Sequence, residues 1–219
     1  KMPSYFSSLY AKDQGEFSGV FTPDYENAEK NKIAFLANPQ INWGEMYFAN
    51  QKLGINGYEP AQSHYVLYED RTDDRTFAVN SNLNTQITSN ISFDGGFTFK
   101  KLKSHNFQYL LDLLGGAYFE DIDPFYKGNL SQSDLQHPNR QVGKGDIYGY
   151  NYNLWANTLD VFAQFKFSYN KTEFFLAQSY SMSDYQREGL YQNGLYPTNS
   201  LGKSEKVNFE NFGFKGGFT

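Results

Sequence analysis

From Phe77 to Lys100 the chain reads FAVNSNLNTQITSNISFDGGFTFK, alternating apolar and polar side chains on both sides of a short break. Period two sends successive side chains to opposite faces of a strand, so the stretch predicts two strands joined by a turn. In the first, Phe77, Val79, Leu83 and Ile87 share one face with Ser81 and Thr85, opposite Asn80, Asn82, Asn84 and Gln86. In the second, Ile91, Phe93, Phe97 and Phe99 oppose Ser92, Asp94 and Thr98. A three-residue loop at Thr88–Asn90 would pair Ile87 with Ile91, Thr85 with Phe93, Leu83 with Gly95 and Val79 with Phe99. Every pair then joins members of the apolar face, as a hairpin with one face out of water requires.

A second hairpin obeys the same rule. Trp155, Leu159, Val161, Phe165 and Phe167 lie on odd positions, whereas Phe174, Leu176, Tyr180 and Met182 lie on even ones. A two-residue turn at Asn170–Lys171 switches the parity and pairs Phe167 with Phe174, Phe165 with Leu176 and Val161 with Tyr180. A last strand carries Phe212, Phe214 and Phe218 on one face; Val207 and Phe209 have the other parity, which predicts a bulge near Glu210. Upstream, HYVLYEDR predicts a strand that ends in a turn at Thr72–Asp74.

Two long polar segments, Lys101–Tyr152 and Ser183–Lys206, separate these hairpins and read as functional loops. Within the first, Tyr109–Leu114 is apolar and predicts either a short helix or a satellite core beneath the loop. Residues 1–64 read as a loop-rich, extracellular segment punctuated by Pro3, Pro23, Pro39 and Pro60. It contains the apolar patch IAFLA (Ile33–Ala37) and a weak helical pattern at Ile41–Asn50.

Composition sharpens the picture. The 219 residues have a mean hydropathy of −0.66, yet 19% are aromatic, with 21 Phe and 18 Tyr against 3 Met, a mixture that suits pleated strands. Cysteine is absent, which excludes disulfide scaffolds and thiolate metal sites. Net charge is −5, which argues against nucleic acid as a partner. The start, KMPSYFSSLYAKDQGEF, has no apolar run of the kind a secretory leader carries. No apolar run approaches the length of a transmembrane helix, but a membrane β-barrel needs only ~9–11 residues per strand.

Alternation alone fits a soluble sandwich or an outer-membrane barrel. Long strands, an Asn/Gln/Ser/Thr-rich polar face, and short turns alternating with long loops lean to the barrel. In that reading Phe77, Val79, Leu83, Ile87, Phe93, Phe97, Phe99, Phe165, Phe167, Phe174 and Leu176 face lipid. Asn80, Asn82, Asn84, Gln86 and Asp94 face a wet lumen. Thr88–Asn90 is then a periplasmic turn.

The order of segments resembles the barrel of Bacteroidota-type TonB-dependent outer-membrane receptors of Gram-negative cells. The strings that carry it are PQINWGEMYFAN (Pro39–Asn50), YEDRTDDRTFAVNSNLNTQIT (Tyr68–Thr88), DLLGGAYFEDIDPF (Asp112–Phe125) and Asp184–Thr219. The resemblance implies an all-β, antiparallel transmembrane barrel of about twenty-two strands, of which residues 65–219 supply about six, closed around a plug. It implies import of a nutrient ligand across the cell outer membrane. The implied partners are the lipid bilayer, the remainder of the barrel and its plug, an inner-membrane energy-coupling complex and a surface lipoprotein. No plug and no energy-coupling motif precedes these strands. Six strands cannot close so large a barrel, which leads to the expectation that they are an internal piece of a longer chain. The alternatives are a structural subunit of an outer-membrane assembly and a soluble β-sandwich that binds carbohydrate.

Chemical motifs add little. Glu120, Asp121 and Asp123 cluster in EDID and are weak candidates for Ca²⁺, set against a salt bridge to Arg140 or Lys127. GKS (Gly202–Ser204) lacks the partner glycine of a phosphate loop, and GKGDIYG (Gly143–Gly149) lacks the third glycine of a dinucleotide fingerprint. His64, His105 and His137 are far apart, and no nucleophile motif exists, so neither an enzyme nor a cofactor is expected. YGYNYN (Tyr148–Asn153) and GLYQNGLYP (Gly189–Pro197) offer Tyr and Asn for stacking on sugars or peptides.

Overall fold

The structure is a computed structural model that describes residues 25–37, 39–52 and 62–219. The chain forms two compact units, Lys1–Met46 and Tyr47–Thr219. Residues 1–24, 38 and 53–61, with Pro3, Pro23 and Pro60, lie outside the described residues. The remainder of the segment read as loop is largely helical. Helix α1 (Tyr25–Ala37) takes in the IAFLA patch, and α2 (Trp43–Lys52) takes in most of the weak pattern. The α1 sequence, YENAEKNKIAFLA, has no Gly or Pro and is rich in Ala, Glu and Lys, all strong helix formers. Asn42 starts α2 by accepting the Glu45 N–H at 3.2 Å, a side-chain N-cap. Among the described residues no helix is long and apolar enough to cross a membrane.

The second unit is built on one antiparallel sheet. Its long strands are β1 (Leu67–Thr88), β2 (Ile91–Asp112), β5 (Ile147–Tyr169), β6 (Thr172–Gly189) and β8 (Val207–Phe218). They lie in the order β1-β2-β5-β6-β8, with the short β7 (Gly202–Lys203) also on β6. A separate two-strand ladder joins β3 (Phe119–Glu120) to β4 (Gln141–Val142). All-β antiparallel architecture is therefore observed. Barrel closure is not: β1 and β8 each leave one edge unpaired among the described residues.

The second hairpin has the expected register, with Phe167 opposite Phe174, Phe165 opposite Leu176 and Val161 opposite Tyr180. Asn170 adopts φ +54° in its turn, a conformation Asn tolerates better than most residues. In the first hairpin Thr85–Phe93, Leu83–Gly95 and Val79–Phe99 are paired as expected. Its end differs. Thr88, not Ile87, pairs with Ile91, so the turn is the two residues Ser89–Asn90 and Ile87 is a bulge. The Gln86 side chain donates to the Thr88 carbonyl at 2.9 Å across that bulge.

Three further expectations are corrected. Thr72–Asp74 is not a turn: β1 runs through it, with Arg71 bridging Asp73 at 2.9 Å and Thr72 bonding Asn106 at 3.0 Å. Polar residues here are strand residues with side-chain partners, not turn formers. The long loops are shorter than read, because β2 extends to Asp112, β5 begins at Ile147 and β6 extends to Gly189. There is no bulge near Glu210: β6 and β8 pair continuously from Phe174–Phe218 to Tyr185–Val207. Val207 and Phe209 simply belong to the other face, where Phe209 meets the Tyr185 ring edge-on at 6.0 Å.

With these corrections the connections sort cleanly. The two-residue turns stand at one end, and the connections 113–146 and 190–206 stand at the other. Asn90 ties the turns together, its side chain donating to the Ser168 carbonyl at 2.8 Å and its own carbonyl accepting the Ser168 N–H at 2.8 Å.

The buried apolar core sits at the loop end. Leu110, Val142 and Tyr148 form it with Val66, Leu113 and Phe119, and Leu114 is buried nearby. Tyr109–Leu114 is thus strand end plus satellite core, not a helix. By contrast the apolar face of the sheet is uncovered: Leu83 is 57% exposed, Leu176 57% and Phe214 73%.

Candidate functional site

The two faces of the sheet differ chemically over the half of the strands nearest the short turns. Across the strands the apolar face reads Ile91–Phe167–Phe174–Phe218, then Thr85–Phe93–Phe165–Leu176, and two steps further on Ser81–Phe97–Val161–Tyr180–Phe212. Its aromatics touch: Phe93–Phe165 at 5.0 Å, Phe167–Phe174 stacked at 4.5 Å and Tyr180–Phe212 at 4.8 Å. The opposite face carries a hydrogen-bonded polar ladder. Asn80 donates to Thr98 at 2.8 Å, Asn82 to Asn80 at 3.0 Å, Asn84 to Asp94, and Ser181 to Asp160 at 2.6 Å. From Phe77 to Gln86 and along β2, β5 and β6 up to Phe99, Leu159 and Met182, an unbroken register keeps the alternating residues on opposite faces; Ile87, in the bulge, stands outside it.

At the loop end the two long connections fold into a polar cap. Asp121 is buried and pairs with Arg140, which also donates to the Ile147 carbonyl at 2.8 Å and the Tyr191 hydroxyl at 3.0 Å. The other Asp121 oxygen accepts the Gly149 N–H at 2.8 Å. The three carboxylates named as weak Ca²⁺ candidates each have a partner of their own and do not converge on one point. Asp121 is engaged by cation and amide, Glu120 accepts Gln62 at 3.1 Å, and Asp123 accepts the Phe125 N–H at 3.0 Å. Among the described residues no acidic or histidine cluster converges on a metal site. Of the histidines, His105 meets Asn151 at 2.7 Å and His137 meets Asp134 at 2.8 Å.

Asp134 joins the two loops. It accepts the N–H of Gln136 at 3.2 Å and of Gln192 at 3.0 Å, while Leu135 donates back to the Gln192 carbonyl at 2.7 Å. Burial by itself would raise the Asp134 carboxyl, but the His137 and backbone hydrogen bonds outweigh it and hold the group below its ordinary range. Gly194 seals the contact: its N–H donates to the Gln132 carbonyl at 2.9 Å, and a Cβ there would overlap the Asn129 carbonyl. A third anchor is Asn50 on α2. Its amide donates to the carbonyls of Tyr65, Leu113 and Leu114 at 2.7, 2.8 and 3.1 Å, and its oxygen accepts the N–H of His64 and Tyr65.

Beneath this cap, on the polar side of the sheet, opens a concavity of about 380 Å³. Its walls are Tyr150 and Tyr152 from β5, Arg187 from β6, and Asn193, Tyr196 and Ser200 from the second long connection. The two Tyr-rich strings meet here. Tyr150 and Tyr152 lie 5.9 Å apart, and Tyr150 is oriented by donating to Asp70 at 3.0 Å. The Arg187 guanidinium lies 5.5 Å from the Tyr152 ring and donates to the Ser200 carbonyl at 3.1 Å. Carbonyls hold it in place without neutralising it, and no carboxylate pairs with it among the described residues. Tyr196 is 63% exposed, a free ring at the mouth. The site can stack a ring and anchor an acidic or hydroxyl group; it contains no nucleophile–base pair. Arg187 and Ser200 escaped the sequence reading, although Arg187 stands just ahead of GLYQNGLYP.

A neighbouring concavity of about 430 Å³ shares Arg187 and is floored by Leu102, Leu154, Ala156, Tyr185 and Val207. It explains the parity of Val207: here the polar face turns apolar. Against known proteins, the chain matches no family model and no curated relative.

Proposed function

We propose that this chain is part of the wall of an outer-membrane β-barrel that takes up a nutrient ligand, as in TonB-dependent receptors. One observation carries the membrane reading. The exposed apolar face persists for about nine residues on β1, β2, β5 and β6, as from Ile91 to Phe99 or Leu159 to Phe167, and then gives way to rows that mix charged, polar and aromatic residues. That is the depth a tilted strand needs to cross the hydrocarbon layer, and a soluble protein has no reason to leave such a face open. The polar ladder of Asn80, Asn82, Asn84 and Asp94 then meets water in a lumen.

On this reading the two-residue turns are periplasmic and the capped loops extracellular, with the Tyr150–Tyr152–Arg187–Tyr196 concavity as a capture site on the inner wall. Its chemistry favours a ligand with flat ring faces and a hydroxyl-rich or acidic edge. The unpaired edges of β1 and β8 are where the remaining strands of the barrel attach, since bare backbone is not tolerated in lipid. The apolar floor around Tyr185 and Val207 is where a plug packs. Import energy comes from an inner-membrane complex.

The chain has no cysteine, so single cysteines report cleanly. Leu83→Cys and Asn82→Cys, labelled with an environment-sensitive fluorophore after reconstitution, test the assignment. A lipid-borne quencher should dim the label at 83 and spare the one at 82. Equal quenching at both, or a protein that purifies folded without detergent, overturns it.

A further inference from the structure

The apolar face ends abruptly on charge at the loop side. Beyond the row Val79–Phe99–Leu159–Met182, the next reads Phe77–Lys101–Asn157–Asp184, and the one after that Arg75–Lys103–Trp155–Gln186. Arg75 and Lys103 stand directly opposite each other on β1 and β2, and Lys101 shares their face two residues away. The outward row nearest the turns, Ile91, Phe167 and Phe174, has no charge, so the cations mark one border of the band only.

Among the described residues none of these three cations is joined to an acid by an ion pair, and only Lys103 lies within longer electrostatic reach of one, the Glu188 carboxylate. Arg71, further out, is paired with Asp73 at 2.9 Å. Among the described residues Arg75 and Lys101 enter no ion pair, and Lys103 lies 5.0 Å from the Trp155 ring centre. The nearest acids on this face are already engaged. Asp184 takes Lys206 at 3.0 Å and Asn157 at 2.8 Å, and Glu188 takes Asn153 at 3.1 Å and the Trp155 indole at 3.3 Å. Like charges directly opposite on neighbouring strands are destabilising, and a third cation beside them adds to the repulsion. An anion seated among them removes that cost.

We propose that Arg75, Lys101 and Lys103 form an outward-facing seat for the phosphates of a lipid headgroup in the leaflet on the loop side. The inference rests on the membrane reading above. Phe77, 60% exposed, stands beside Lys101 at the border, and Val79 and Phe99 form the next row inward, where the acyl chains of the same lipid begin. Phosphate supplies the charge, and the position at the edge of the apolar band makes the source a lipid and not a free ion.

The test is native mass spectrometry of the full-length protein in a neutral detergent, titrated with diphosphoryl lipid A and with the same lipid after dephosphorylation. The acyl chains are identical, so only phosphate recognition differs. Wild type should retain the phosphorylated form preferentially. Each cation near an anionic surface contributes about fivefold, so the triple variant R75Q/K101Q/K103Q should lose roughly a hundredfold. K100Q/K215Q, which removes two cations from the opposite face, should lose nothing. Equal retention of the two lipids by wild type, an unchanged triple variant, or displacement of the lipid by inorganic phosphate alone overturns the seat. The comparison of lipids on wild type does not depend on any variant folding. A protein that needs no detergent overturns the membrane reading and the seat together. One that needs detergent but shows no phosphate preference overturns the seat only.

Discussion

Arg140 and Asp121, from opposite ends of the first long connection, are joined by an ion pair inside the loop cap, and the Asp121 side chain is only 2% exposed. Removing one partner leaves a buried charge unmatched, which costs far more than the pair itself contributes. Arg140→Ala should destabilise the cap by about 3 kcal/mol, and Asp121→Ala/Arg140→Ala by less than the sum of the single changes. Amide hydrogen exchange of Gly149, which donates to Asp121, reads both values.

The two faces of β1 predict opposite responses to the same substitution. Leu83→Arg puts a cation in the middle of the apolar band and should cost about 2–4 kcal/mol in a reconstituted barrel. Asn82→Arg, one residue away on the polar ladder, should cost little. Chemical unfolding in lipid vesicles distinguishes them, and equal costs would contradict the assignment of solvents.

Asp134 gives the cap a pH dependence of definite sign. A carboxyl held below its unfolded value of ~3.9 stabilises the fold above that value and loses its contribution as pH falls through the folded value. The Gln192 amide, which Asp134 accepts, should therefore stay protected from exchange at neutral pH and lose protection below about pH 4. Asp134→Asn should remove most of that acid sensitivity.

Gly194→Ala should part the two loops, since the added methyl meets the Asn129 carbonyl and not a side chain that can turn away. A cost of about 1–3 kcal/mol is expected, seen as faster proteolysis within 190–206 while the sheet stays protected.

In the concavity, Tyr196 is exposed and packs little, so Tyr196→Ala should leave stability unchanged. It should weaken a ring-bearing ligand by about 1 kcal/mol. Arg187→Gln should weaken an acidic oligosaccharide more than its neutral counterpart. Calorimetric titration with the two sugars separates stacking from charge.

How much of this the sequence disclosed follows from which forces leave a periodic trace. Alternation fixed the register of Thr85 on Phe93 and Phe167 on Phe174, because a slip of one residue would turn every apolar side chain to the wrong face. Where strands leave the apolar band, that constraint lapses. Thr72, Asp73 and Asp74 look like a turn although their strand continues, and Val207 looks displaced although the face itself has changed character. The bulge at Ile87 was invisible because two- and three-residue turns keep the same pairs from Thr85 onward. The cap was legible only as composition. Its bonds, such as Asp134 to Gln192 and Asn50 to Leu113, span distant residues and follow no repeat. The tyrosines of the concavity could be named from their strings; their meeting with Arg187 could not.

Strand length has a further consequence. β1, β2 and β5 run for 22, 22 and 23 residues, more than twice what the apolar band occupies. On the membrane reading the wall rises as a chimney, with its sealing skirt at the base and its sorting chamber at the rim. Selection and sealing are thus done by different residues of the same strands. The rim can be rewritten for a new cargo while the skirt stays watertight.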